Sequence, residues 1–126
     1  MTTQISNNQP KHPFDLEKRT LIFARNIRDF CKQLPKSLIN REYVEQIIRS
    51  SGSVGANYIE ANESLSKKDF IMRIKISRKE IKETRYWLEL IEINDIQQVE
   101  LNKLKQESTE LLKIFSSIIE KSLWDY

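Results

Sequence analysis

After Pro35 the chain contains no proline, all the way to Tyr126. Proline lacks the amide hydrogen that a helix interior or a central strand uses, and it commonly ends an element. So long a run without it, in a chain of only 2 glycines and 3 prolines, cannot supply the tight turns of an all-β fold. It reads as helix. Both glycines, Gly52 and Gly55, fall within RSSGSVGANYIEANES, residues 49–64, which at first looks like a break. The periodicity says otherwise. Ile47, Ser51, Val54, Tyr58, Ala61 and Leu65 keep the spacing 4, 3, 4, 3, 4 straight through the glycines, a register that a loop has no reason to hold.

The same spacing marks three more segments. Leu16, Thr20, Phe23, Ile27, Phe30 and Leu34 line one face of a first helix, from about Phe14 to Leu34, which Pro35 stops. The glycine-bearing helix starts with Asn40 as its N-cap and runs to about Asn62. A third starts after Ser66, with Asp69 at the third helical position, and runs to about Ile93. Its inward stripe is Phe70, Ile74, Ser77, Ile81, Thr84, Leu88 and Ile91. The fourth runs from Asn94-Asp95 to about Leu123, with Leu101, Leu104, Ser108, Leu111, Phe115 and Ile118 inward. Connections of a few residues make neighbours antiparallel, so the expected fold is all-α, an antiparallel up-down-up-down four-helix bundle. It forms one domain over 14–126, after a polar, disordered tail at 1–13. Counting out from the turns places Ser51, Ser77, Phe23 and Leu111 in one layer at mid-bundle.

Ile48, Gly52, Gly55 and Ile59 form a second stripe on the glycine helix. Each glycine costs about 1 kcal/mol relative to alanine, and close approach by another helix is the natural compensation. Gly52→Leu is therefore expected to destabilise. A phosphate loop would need Lys-Ser/Thr after its last glycine, where Ala56-Asn57 stand, and a KH-type GxxG would need flanking strands.

Catalytic and metal chemistry find little support. The one histidine, His12, is in the tail, so a di-iron bundle with Glu-x-x-His pairs, an Arg-x4-His helical ribonuclease and a Ser-His or Cys-His nucleophile pair each lack a member. The lone Cys31, among Ile27, Phe30 and Leu34, reads as a small core residue. The expectation is no enzyme, no metal and no cofactor. The tail lacks the apolar run of a signal peptide, and no stretch is long and apolar enough to cross a bilayer, so a cytoplasmic setting is expected.

Charge is the strongest functional signal. Net charge is +3, but residues 65–93 carry eight Lys/Arg against five Asp/Glu, and 94–126 carry four against six. At about 100° per residue, Lys67, Lys68, Lys75, Arg78, Lys79, Lys82 and Arg85 fall within about a third of the third helix's circumference. Tyr86 lies on the same face. Such a stripe suits phosphate neutralisation, with Arg25 and Arg28 on the first helix as the next basic group. The bland reading is a solvated face, or one that meets an acidic protein. Met72, Ile76, Trp87 and Leu90 form a second apolar stripe on this helix, which points to an oligomer interface that Trp124 and Tyr126 could cap.

Two motifs carry a resemblance. One is Gln46, Arg49-Ser50 and the run from Ser53 to Glu63. The other is Ser66-Lys67-Lys68-Asp69-Phe70-Ile71 followed by Lys79-Glu80 and Glu83-Thr84-Arg85-Tyr86-Trp87-Leu88. From about Phe14 to Ile119 the chain resembles the four-helix-bundle family of ribosomal-RNA intervening-sequence proteins, also called the S23 family. Where many relatives read Glu-Gly, this chain has Glu60-Ala61. The resemblance implies a small bacterial protein that assembles as a homopentamer, with no established catalytic residue. It also implies kinship with the basic, nucleic-acid-binding accessory protein of diversity-generating retroelements. Of the matching polar positions, Asn57, Glu60, Glu80 and Glu83 read as structural, and Asn57 needs a partner on a neighbouring helix. The expectation is a self-associating bundle that binds RNA or DNA weakly and without sequence specificity. The alternative is a scaffolding module with an unidentified protein partner.

Overall fold

The computed structural model of the chain describes residues 13–124, and they form four long helices with no strand among them. Helix α1 spans Pro13–Lys32, α2 Leu38–Asn62, α3 Lys67–Leu90 and α4 Gln98–Trp124, the last preceded by a short 3-10 turn at Asp95–Gln97. Pro13 opens α1, where its missing N–H costs no helical bond. The rest of the expected tail, and Tyr126, lie outside the described residues.

The 4, 3, 4 stripes become the core. Every member of the α1 stripe from Leu16 to Leu34 is buried, as are Ile47, Ser51, Val54, Tyr58 and Ala61 of α2. On α3, Ile74, Ser77, Ile81, Thr84, Leu88 and the C-cap Ile91 are buried, with Phe70 half-buried beside them. On α4 the innermost position near the end is Ile119, with Ile118 half-buried next to it. Tyr58 of α2 reaches across the core to Phe115 of α4, edge to face, with ring centroids 5.6 Å apart. Cys31 is buried, and loss of solvent pushes its thiol up to about 11, so it is protonated and inert at neutral pH.

Pairings between helices run in opposite chain directions. Asn62 donates to the Glu17 carboxylate while Gly55 lies against Thr20, which joins α1 to α2. Ser50 and Thr84 share a hydrogen bond of 2.7 Å, and Ser77 donates to the Val54 carbonyl at 2.8 Å, which joins α2 to α3. Ser77 thus meets the backbone of Val54, three residues on from Ser51. Arg78 reaches Ser116 and Arg85 reaches Thr109, which joins α3 to α4. Arg19 grips Glu107 with two parallel bonds of 2.7 and 2.8 Å, tying α1 to α4.

Several sequence expectations are corrected. The N-cap of α2 is Ser37, whose hydroxyl accepts from the Asn40 amide; Asn40 lies inside the first turn. There it is buried. It donates to the carbonyls of Pro35 and Glu92 and accepts from the Glu92 amide, bolting the start of α2 to the α3–α4 connection. Leu65 is 99% exposed, because α2 ends at Asn62 and the chain has already turned. Helix α3 stops at Leu90 rather than Ile93. The glycines also differ from one another. A Cβ at Gly55 would lie 2.9 Å from Thr20 Oγ1, whereas a Cβ at Gly52 would meet nothing within 4 Å. The close approach predicted at both glycines exists only at Gly55, and the steric reason for expecting Gly52→Leu to destabilise is gone.

Candidate nucleic-acid interface

Helix α3 carries the basic residues, and its neighbours fix which way it faces. Ser66 caps it, accepting from the Asp69 amide at 3.1 Å. On the α2 side, the Ser50–Thr84 and Ser77–Val54 bonds are buried, and Thr84 also donates to the Glu80 carbonyl. Arg73 donates to Asn57 Oδ1 at 3.2 Å, while Asn57 Nδ2 donates back to the Ser53 carbonyl at 2.9 Å. The mid-helix asparagine therefore has its partner on the neighbouring helix.

Held in this way, α3 turns Lys68, Lys75, Lys79 and Lys82 outward, all four exposed. None of these four forms a salt bridge among the described residues. The other members of the predicted stripe behave differently. Arg78 and Arg85 are half-buried and lean toward α4, Arg78 Nη1 donating to Ser116 Oγ at 3.4 Å and Arg85 Nε to Thr109 Oγ1 at 3.1 Å. Lys67 is half-buried and already engaged. The stripe is thus four outward lysines flanked by two arginines along the α3–α4 seam. Lys105 pairs with Glu89 at 3.1 Å and closes that seam at one end.

The predicted apolar stripe divides as well. Met72 is half exposed, Leu90 somewhat less, and Ile76 is partly covered. Trp87, by contrast, packs against the core and stacks on Tyr43 of α2 with centroids 5.9 Å apart, so it belongs largely to the interior. Tyr86, 60% exposed, touches the Trp87 edge. Trp124 is exposed at the end of α4.

The acidic positions do not converge. Glu60 is exposed, and Glu83 is half-buried on α3. Glu80 is half-buried with its Oε1 buried and without a hydrogen-bond partner. Desolvation, with nearby Glu83 adding to it, raises the Glu80 carboxyl above its ordinary range against the pull of Lys79 and Arg49. Among the described residues no three His, Cys, Asp or Glu side chains come together in a way that could hold a metal ion. Among the described residues no helix is long and apolar enough to cross a membrane.

Sequence reasoning missed Lys113 on α4, which lines a surface groove with Lys75 and Arg78. The acidic balance of residues 94–126 conceals it, since a charge total by segment says nothing about which helices face each other.

A small helical bundle whose third helix presents lysines outward and is anchored inward by hydroxyls is the class of protein this geometry defines. The chain belongs to the 23S rRNA-intervening sequence protein family, whose profile matches residues 14–117. It is similar to the crystal structure of a protein of unknown function from the S23 ribosomal protein family of Bacteroides thetaiotaomicron. The identity is 34%, over 86% of this chain and 97% of that one, with a TM-score of 0.71. The comparison with curated proteins gives no match.

Proposed function

We propose that the protein is a non-enzymatic, self-associating bundle that binds nucleic-acid phosphates, without base specificity, through the basic face of α3. The observation that carries this reading is the set Lys68, Lys75, Lys79 and Lys82: exposed, on one arc of one helix, with no salt bridge among the described residues. Some charges elsewhere in the fold are paired, as in Arg19–Glu107 and Lys105–Glu89, and others, such as Arg25 and Lys103, also form no salt bridge among the described residues. Unpaired lysines in a row attract a polyanion and release its counterions on contact. Self-association would repeat the row in every subunit and raise avidity without any new contact. Met72, Ile76 and Leu90 are the residues we assign to the subunit contact, joined by the exposed part of Trp87.

The test is filter retention of labelled RNA and DNA at low and high salt. The parent should retain both, and steeply less as salt rises. The triple variant Lys75→Glu, Lys79→Glu, Lys82→Glu should lose retention while keeping its helicity and its mass in solution, since exposed charges contribute little to stability. Equal retention by the variant would refute the assignment of the site.

The second reading is a scaffold that meets an acidic protein. The exposure of Met72, Tyr86 and Leu90 around the lysines favours it, because a protein partner would cover apolar surface that a phosphate backbone leaves wet. No retention by the parent at low salt would select it.

A further inference from the structure

We infer that the phosphate backbone is seated in the groove between α3 and α4, with Lys113 of α4 as a binding residue; this rests on the nucleic-acid reading above and locates it. Lys75, Arg78, Lys113, Ser116, Ser117 and Glu120 line the groove. Three cations face one carboxylate, and none of the three forms a salt bridge among the described residues. The Arg78 guanidinium is already oriented by its bond to Ser116, at 3.4 Å, and keeps further N–H donors for a phosphate oxygen. Two serine hydroxyls beside it are the neutral donors that phosphate contacts commonly use.

Beyond the groove, basic residues continue along the α3–α4 seam. Lys113 lies one helical turn from Ser116 and one from Thr109, the residue that Arg85 bonds at 3.1 Å. A basic strip therefore runs from Lys75 to Arg85, about 15 Å at the helical rise. Glu89 ends it, with its carboxylate taken up by Lys105 at 3.1 Å and, more distantly, by Arg85 at 3.9 Å. That length has room for more than one phosphate of a single strand. No aromatic side chain among the described residues lines the groove, so the contacts they offer are to the backbone.

The test compares two single-charge removals on α4. Lys113→Gln removes a charge inside the groove. Lys103→Gln removes one from an exposed position with Val99, Asn102, Gln106 and Glu107 around it. Binding of a labelled mixed-sequence oligonucleotide is titrated against salt by fluorescence anisotropy. Losing one phosphate contact should flatten the log–log salt slope by about 0.7 to 0.9 and weaken binding about tenfold near 50 mM salt. Lys113→Gln should show this change and Lys103→Gln should not. Equal behaviour of the two variants, with the parent binding, overturns the groove and leaves the α3 face standing. Failure of the parent to bind overturns both. Displacement by poly-glutamate at lower concentrations than by competing oligonucleotide would assign the groove to an acidic protein instead.

Discussion

Gly55 and Gly52 are three residues apart in the same helix, so alanine at either position gains the same propensity, about 1 kcal/mol. Only their surroundings differ, and the difference between the two variants isolates the packing. At Gly52 a Cβ meets nothing within 4 Å, so Gly52→Ala should stabilise the chain by up to about 1 kcal/mol. At Gly55 the new Cβ would lie 2.9 Å from Thr20 Oγ1 and 3.3 Å from Thr20 Cβ. Thr20 cannot easily give way. It is 1% exposed, it is β-branched, and its hydroxyl donates to the Glu17 carbonyl at 3.0 Å. Overpacking of this kind costs about 1–3 kcal/mol. Set against the propensity gain, Gly55→Ala should lose about 1 kcal/mol net, which leaves the two alanine variants about 2 kcal/mol apart. Urea unfolding followed by circular dichroism measures both. In a Thr20→Ala background the Oγ1 contact is gone, and most of the penalty at Gly55 should vanish as a coupling of about 1–2 kcal/mol. If Gly55→Ala raises the midpoint as much as Gly52→Ala, the reading of α1 against α2 is wrong.

Asn40→Ala removes three bonds and strands the Glu92 amide, so it should destabilise by about 2–3 kcal/mol by urea unfolding, far more than an N-cap loss at Ser37. Glu80 is raised in the folded state, which means that the fold binds its proton more tightly than the unfolded chain does, and stability from this group falls as pH rises through and above the ordinary carboxylate range. Glu80→Gln should therefore stabilise the protein at neutral pH, with the gain shrinking toward pH about 4 in paired unfolding curves. Arg19→Ala should cost about 1 kcal/mol, an effect reduced at high salt, because the bidentate pair with Glu107 is about 30% exposed. Sedimentation at micromolar concentration should show a species several times the 15.0 kDa chain mass, and a clean monomer would refute self-association.

The core was legible because burial on a helix repeats with the helical period. Leu16, Thr20, Phe23, Ile27, Phe30 and Leu34 could be named from spacing alone, and even the polar Thr20 is buried as its position requires. Spacing fails where an element ends. Leu65 continues the arithmetic of α2, but the helix stops at Asn62, and the period places a side chain only while the helix lasts. It fails again where a residue's role depends on a partner distant in sequence. Asn40 looks like a cap because asparagine caps helices, yet its structural work is done with Glu92, in the α3–α4 connection. Gly52 and Gly55 look alike in sequence, and only the position of Thr20 tells them apart. Trp87 counts as surface on a helical wheel, but Tyr43 of α2 covers it.

The same limit applies to the candidate site and shows what the buried hydroxyls do. Lysines on one arc face solvent only if α3 is held at one rotation about its own axis. Apolar contacts between helices are adaptable and specify rotation loosely. The Ser50–Thr84 and Ser77–Val54 bonds specify it well, because turning α3 by one residue, about 100°, would leave both unmade in the interior. Arg78 and Arg85 hold the opposite edge through Ser116 and Thr109. Helix α3 is thereby fixed from both sides, by hydroxyl partners on α2 and on α4. Ser77 and Thr84 of the α3 core stripe, which spacing alone ranks as weak hydrophobic positions, hold the lysine row outward from the α2 side, and Ser116 and Thr109 keep the α3–α4 seam in register.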